Sequence, residues 1–244
     1  TSTEGGTVFS GTNITTWQTL KTTTYTPTGK VDTEKDGAND VTDYDYDPLD
    51  RILQVADPAS RRTRFSYDLA GQKLKEIRGY GMPLQQDYAT YTYSNNGQIL
   101  SVEDANNNLS TYEYDGFDRL SKLRFPLPTL GANASSTTDY EQYDYDPNGN
   151  RISLRKRDGQ QILYSYDRLN RETVKDLPGG TTTDVYSIYD LAGRPTDARF
   201  GSLSGSGVIY TYDSAKRLST ETSFGRQLTY GFDLASNRNR LTWP

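Results

Sequence analysis

One seven-residue word recurs from Tyr25 to Arg238, and self-similarity at a short fixed period obliges a chain to fold as a series of like supersecondary units. The ten copies read YTPTGKV from Tyr25, YDPLDRI from Tyr46, YDLAGQK from Tyr67, YSNNGQI from Tyr93, YDGFDRL from Tyr114, YDPNGNR from Tyr145, YDRLNRE from Tyr166, YDLAGRP from Tyr189, YDSAKRL from Tyr212 and FDLASNR from Phe232. Successive anchors stand 21, 21, 26, 21, 31, 21, 23, 23 and 20 residues apart. The basal period is therefore about 21 residues, with two conspicuous insertions.

Positions two to five of the word ask for a type I turn. Position two is Asp47, Asp68, Asp115, Asp146, Asp167, Asp190, Asp213 or Asp233 in eight copies, with Ser94 and Thr26 in the others. Each of these side chains can accept hydrogen bonds from the turn's own amides. Pro27, Pro48 and Pro147 occupy the next position, where a fixed φ suits the turn. Position five is Gly29, Asp50, Gly71, Gly97, Asp118, Gly149, Asn170 or Gly193, residue types that tolerate positive φ. That is the pattern of a three-residue hairpin closing on a G1 bulge. Lys216 and Ser236 break it at position five.

Ahead of each turn runs a strand with aromatics two apart, which places both rings on one face. Examples are Tyr44 with Tyr46, Phe65 with Tyr67, Tyr91 with Tyr93, Tyr112 with Tyr114, Tyr143 with Tyr145, Tyr164 with Tyr166, and Tyr210 with Tyr212. A second strand follows the turn and ends in a second set of breakers, such as Asp57-Pro58, the run Asn106 to Asn108, Asp158-Gly159 and Pro178-Gly179-Gly180. Each repeat is thus one antiparallel hairpin, and ten of them predict about twenty strands in a continuous meander. The fold class expected is all-β. Breakers arrive too often for helices, and no window holds an i, i+3, i+4, i+7 apolar series. The insertions at 79–88 and 126–138 read as long loops on one rim. Residues 1–24, rich in Thr, read as a degenerate repeat or cap ahead of a repeat domain spanning 25–244.

Composition removes most catalytic chemistry. With no Cys and no His, thiolate nucleophiles, imidazole bases and their metal sites are absent, and no cofactor is implied. A net charge of -5 gives no basic excess to hold a phosphate backbone, so nucleic acid is not an expected partner. No apolar run approaches the roughly 18 residues that a spanning helix needs, so membrane insertion is not expected either. The 20 tyrosines supply the bulky, β-favouring surface that aliphatic residues do not, and 244 residues suffice for a substantial core.

The Tyr-x-Tyr-Asp-x-x-Gly-Arg-Leu pattern over 25–238 resembles the tyrosine-aspartate (YD) repeat of the Rhs family, found also in Tc toxin shell components and teneurins. The resemblance implies a β-strip that curves or spirals into a strip or partial shell. In bacterial members such a shell encloses a toxic C-terminal domain. It implies a wall segment delivered as part of a larger bacterial protein to the outside or the cell surface, with a protein cargo and further YD repeats as partners. The chain starts at Thr1 without Met and ends at Trp243-Pro244 without the family's self-cleavage site, so a fragment or an open strip is expected.

Other readings compete with this one. The repeated carboxylates could serve glycoside hydrolysis, but eight Asp at one turn position are a repeated cap, whereas a catalytic pair is singular. Asp43, Asp45 and Asp47 alternate with Tyr44 and Tyr46 and read as a solvated face. Asp104, Asn106 and Asn108 have the opening spacing of a calcium loop, but Leu109 stands where that loop needs Gly, so a polar turn is expected. Arg51, Arg119, Arg194 and Arg217 are expected to pair with neighbouring turn carboxylates in an exposed ladder. Position one, filled by Tyr46, Tyr67, Tyr93, Tyr114, Tyr145, Tyr166, Tyr189 and Tyr212 among others, is read as cross-strand packing, with stacking on sugar rings as the rival function.

Overall fold

A computed structural model describes residues 1–10 and 13–243, with side chains described for 1–5 and 19–243. Pro244 and the side chains of 6–18 lie outside it. The described chain is all-β and antiparallel. It has 21 strands, and its only helical element is a single 3-10 turn at Thr181–Thr183.

By compactness the chain divides into two units, Thr1–Glu113 with Arg124–Ser136, and Tyr114–Leu123 with Thr137–Pro244. In the first, strands Ser2–Ser10, Asn13–Tyr25, Val31–Asp36, Val41–Tyr46, Ile52–Ala56, Arg62–Tyr67, Lys73–Arg78, Gln86–Tyr93, Ile99–Asp104 and Leu109–Tyr114 each pair with the next. In the second, the same meander runs from Ser135–Tyr145 to Arg238–Thr242. Strands Ser2–Ser10 and Asn13–Tyr25 open the first meander as a pair, Ser2 facing Thr23 at its base.

Alternation follows the pleat. Along Val41–Tyr46, Thr42, Tyr44 and Tyr46 are half-buried while Val41, Asp43 and Asp45 are exposed. Hairpins shift register at position one. Asp45 faces Gln54 but Tyr46 faces Ile52, which leaves Leu53 as the extra residue of a bulge. The same shift precedes Tyr67, Tyr145, Tyr166 and Tyr212.

The expectation of a substantial core is overturned. Among the described hydrophobic residues only Ala89 and Tyr164 are buried, at 7% and 8% exposure, and no large side chain is fully buried. Hairpins that pair edge to edge cover their rings with neighbouring side chains, and most of those rings stay half-exposed. Large apolar residues at the turn tips, such as Leu69, Phe117 and Leu191, face solvent. The insertion after Leu120–Pro126 also proves shorter than its sequence suggested, because Ser135 to Thr138 extend the next strand and Leu127 N donates to the Ala134 carbonyl at its base.

Candidate functional site

The repeat word builds one local device many times over. At the Asp47 turn, Asp50 N donates to the Asp47 carbonyl (2.9 Å) and Asp47 N to the Arg51 carbonyl (2.9 Å). Asp47 Oδ1 accepts from the amides of Leu49 (2.9 Å) and Arg51 (3.0 Å), satisfying two donors that the bend leaves over. Oδ1 of Asp115, Asp167 and Asp190 does the same for the amides two and four residues on. Asp68, Asp146, Asp213 and Asp233 accept from the amide four residues on. Ser94 Oγ takes this place in its own copy.

Position five adopts positive φ in all ten copies, from 59° at Asp50 to 90° at Gly149. Gly71, Gly97 and Gly193 fall within that range, and so do Lys216 and Ser236, both at 66°. Those two break the residue pattern without breaking the conformation. Their turns are closed by Lys216 N to the Asp213 carbonyl and Ser236 N to the Asp233 carbonyl.

The arginines depart from the expected ladder. Each pairs inside its own turn: Nε of Arg51, Arg119, Arg171, Arg194 and Arg217 donates to Oδ2 of Asp47, Asp115, Asp167, Asp190 and Asp213 at 2.7–2.8 Å. The other end of the guanidinium reaches the following repeat. Arg51 Nη1 donates to the Asp68 carbonyl (3.1 Å), Arg119 to Asp146 (3.3 Å), Arg171 to Asp190 (3.2 Å) and Arg217 to Asp233 (3.2 Å). The five guanidinium carbons lie 4.4–4.7 Å from the ring centroids of Tyr67, Tyr145, Tyr189, Tyr212 and Phe232. One planar fork thus joins a carboxylate, a carbonyl and an aromatic face, which a lysine could not do.

Tyrosine completes the connection from the other side. The hydroxyl of Tyr67 donates to the Ile52 carbonyl at 2.8 Å, and Ile52 is position seven of the preceding word. Tyr46, Tyr93, Tyr145, Tyr166, Tyr189 and Tyr212 make the same bond to Val31, Lys73, Leu120, Arg151, Glu172 and Pro195 at 2.7–3.0 Å. Tyr114 ends its strand at the equivalent position. Sequence reasoning missed this latch. Its signal is that nine of ten anchors are Tyr, although Phe would fill the same space.

Electrostatics follow the geometry. The Arg51 guanidinium, then the amides of Arg51 and Leu49, hold the Asp47 carboxyl below its ordinary range, and Arg119 does the same for Asp115. At Asp190 and Asp213 the amide of the paired arginine is the first cause of the lowering. Burial pushes the phenols of Tyr46, Tyr67, Tyr93, Tyr166 and Tyr212 upward. Tyr143, half-buried and donating to Glu141 at 2.6 Å, is pushed up to about 12, burial being the first cause. Asp104 Oδ1 accepts from the amides of Asn106 (2.8 Å) and Asn108 (2.9 Å), and Oδ2 accepts from Asn108 Nδ2 (2.9 Å). The run that resembled the start of a calcium loop is a turn on the opposite rim.

Turn, latch and meander together define a class, the tandem YD-hairpin β-proteins. The RHS Repeat family model matches residues 46–81, 90–127 and 145–182, so the chain carries RHS repeats. It is 30% identical over 176 residues to Double-stranded DNA deaminase toxin A of Burkholderia cenocepacia, covering 67% of this chain and 11% of that protein. It is 26% identical over 188 residues to Toxin subunit YenC2 of Yersinia entomophaga, covering 70% of this chain and 19% of that one. The chain therefore spans a small fraction of the curated relatives it matches. Among solved structures, a TcdB2-TccC3-TEV crystal structure matches with a TM-score of 0.72 at 14% identity over 92% of this chain and 12% of that one. A Photorhabdus luminescens Tc holotoxin pore matches with 0.57 at 17% identity over 91% and 16%. At these identities the likeness is one of fold.

Proposed function

We propose that the chain is a non-catalytic wall segment of a YD-repeat shell, acting within a larger exported bacterial protein to enclose or present a toxin cargo beside further YD repeats. The observation that carries this reading is the latch. Seven hairpins lend a carbonyl to the tyrosine of the next, and five lay an arginine on the next ring, so a repeat is completed by its neighbour. Such units make a length of wall. Both curated relatives are toxins by name, and each is far longer than this chain.

The deaminase chemistry named for the first relative does not belong to these residues. Nucleobase deaminases hold zinc with His and Cys, and this chain has neither. The turn carboxylates are already committed to amides and guanidinium groups. Sugar stacking is less well supported, because it needs open ring faces, and the guanidinium groups of Arg51, Arg119, Arg171 and Arg194 lie over Tyr67, Tyr145, Tyr189 and Tyr212.

Limited proteolysis of the full reading frame tests the proposal. Deleting one hairpin, residues 146–166, should expose the rest of the polypeptide to cleavage that the intact wall prevents. Equal cleavage rates with and without the hairpin contradict it.

A further inference from the structure

The first insertion builds a cavity that the repeat does not require. Residues 79–85 are folded by four hydrogen bonds: Tyr80 N to the Arg62 carbonyl, Met82 N to the Gly79 carbonyl, Gln85 N to the Met82 carbonyl, and Gly81 N to Gln85 Oε1, all at 2.9–3.0 Å. Beneath this loop lies a cavity of about 710 Å³, within the range of ligand pockets. Val55 and Thr63, cross-strand partners, line it together with Met82, Pro83 and Leu84. The loop leaves its apolar groups unspent, with Leu84 90% exposed.

Charge around this apolar space is specific. Arg61, Arg62 and Arg78 line it with Asp57 and Glu76. Arg61 pairs with Asp57 (2.6 Å), and Glu76 takes both Arg78 (3.1 Å) and Lys73 (3.3 Å), while Arg62 has no ion-pair partner among the described residues. Three guanidinium groups against two carboxylates leave one positive charge in a chain whose net charge is -5. That balance suits a single carboxylate, whereas the two fixed acids would repel a polyphosphate or nucleic-acid backbone.

We propose that this cavity binds a peptide segment carrying apolar side chains beside one carboxylate, the apolar groups against Val55, Met82 and Leu84 and the carboxylate on Arg62. The site is independent of the wall reading, since neither the latch nor the turns of the seven-residue word take part in it.

The test is a titration of the isotope-labelled 244-residue chain, followed by amide chemical shifts, with acetyl-Phe-Asp-Leu-amide as the probe. Saturable shifts confined to residues 55–84 are expected, with affinity at least about fivefold lower for acetyl-Phe-Asn-Leu-amide, for acetyl-Ser-Asp-Ser-amide, and for the variants Arg62→Gln and Leu84→Ser. Both variant positions are exposed, and unchanged shifts elsewhere report that the fold survives. The proposal is overturned if there is no saturable shift, if the Asn peptide binds as tightly, or if inorganic phosphate reproduces the same shifts at the same concentration.

Discussion

The guanidinium of Arg51 lies 4.5 Å from the ring centroid of Tyr67, in the next repeat along the chain. The same arginine is anchored on Asp47 and reaches the Asp68 carbonyl, so a short word repeated along the sequence becomes a continuous connection between hairpins. Stability then rests on contacts between repeats more than on a core.

Removing one hydroxyl isolates the latch. Tyr67→Phe keeps the ring under Arg51 but leaves the Ile52 carbonyl without its donor, and should cost about 1 kcal/mol. Urea unfolding measures it, and an unchanged midpoint would show that the bond contributes nothing.

Arginine shape should matter beyond its charge. Arg171→Lys keeps the positive charge but loses the stacking on Tyr189 and the bond to the Asp190 carbonyl, together worth about 1 kcal/mol. If charge alone acts, the lysine variant will match the parent in denaturant melts at every salt concentration.

At position five the conformation is fixed while the residue varies. Lys216 sits at φ 66°, so Lys216→Gly should stabilise by about 0.5–1 kcal/mol, and Gly149→Val, at φ 90°, should destabilise by about 1–2 kcal/mol. Opposite signs in paired thermal melts are the expected result.

How stability varies with pH follows from the shifted groups. Asp47, Asp115, Asp167, Asp190 and Asp213 have lowered folded pKa values, so the unfolded chain takes up protons first as pH falls. Their contribution is present above the unfolded value near 4 (~3.9) and is lost as pH drops through the lower folded values. At the alkaline end the raised phenols act in reverse. Their contribution is whole below pH about 10 and is lost as pH rises through the folded values, Tyr143 being pushed up to about 12. Denaturant midpoints across pH, with phenolate absorbance at the alkaline end, check both limbs.

Local chemistry explains what the sequence made legible. Asp at position two and Gly, Asp or Asn at position five state the turn outright, because cap and positive φ are satisfied within five residues. Lys216 hid the same turn, since its conformation is imposed by closure of the hairpin. The tyrosine latch and the arginine fork were not legible because their partners lie about one repeat away, at Ile52 for Tyr67 and at Asp68 for Arg51. Chain length overestimated the core. It could not foresee that Leu69 and Leu191 would stand in solvent at turn tips. The cavity under residues 79–85 was legible only as a loop on a rim.

Electron cryomicroscopy of the full reading frame containing these residues tests the central claim most directly. The account predicts that residues 25–243 lie in a continuous YD-repeat wall, latched hairpin to hairpin, with density for another part of the polypeptide against one face. A detached domain whose two faces both meet solvent, or one holding a substrate in a singular site, would contradict it.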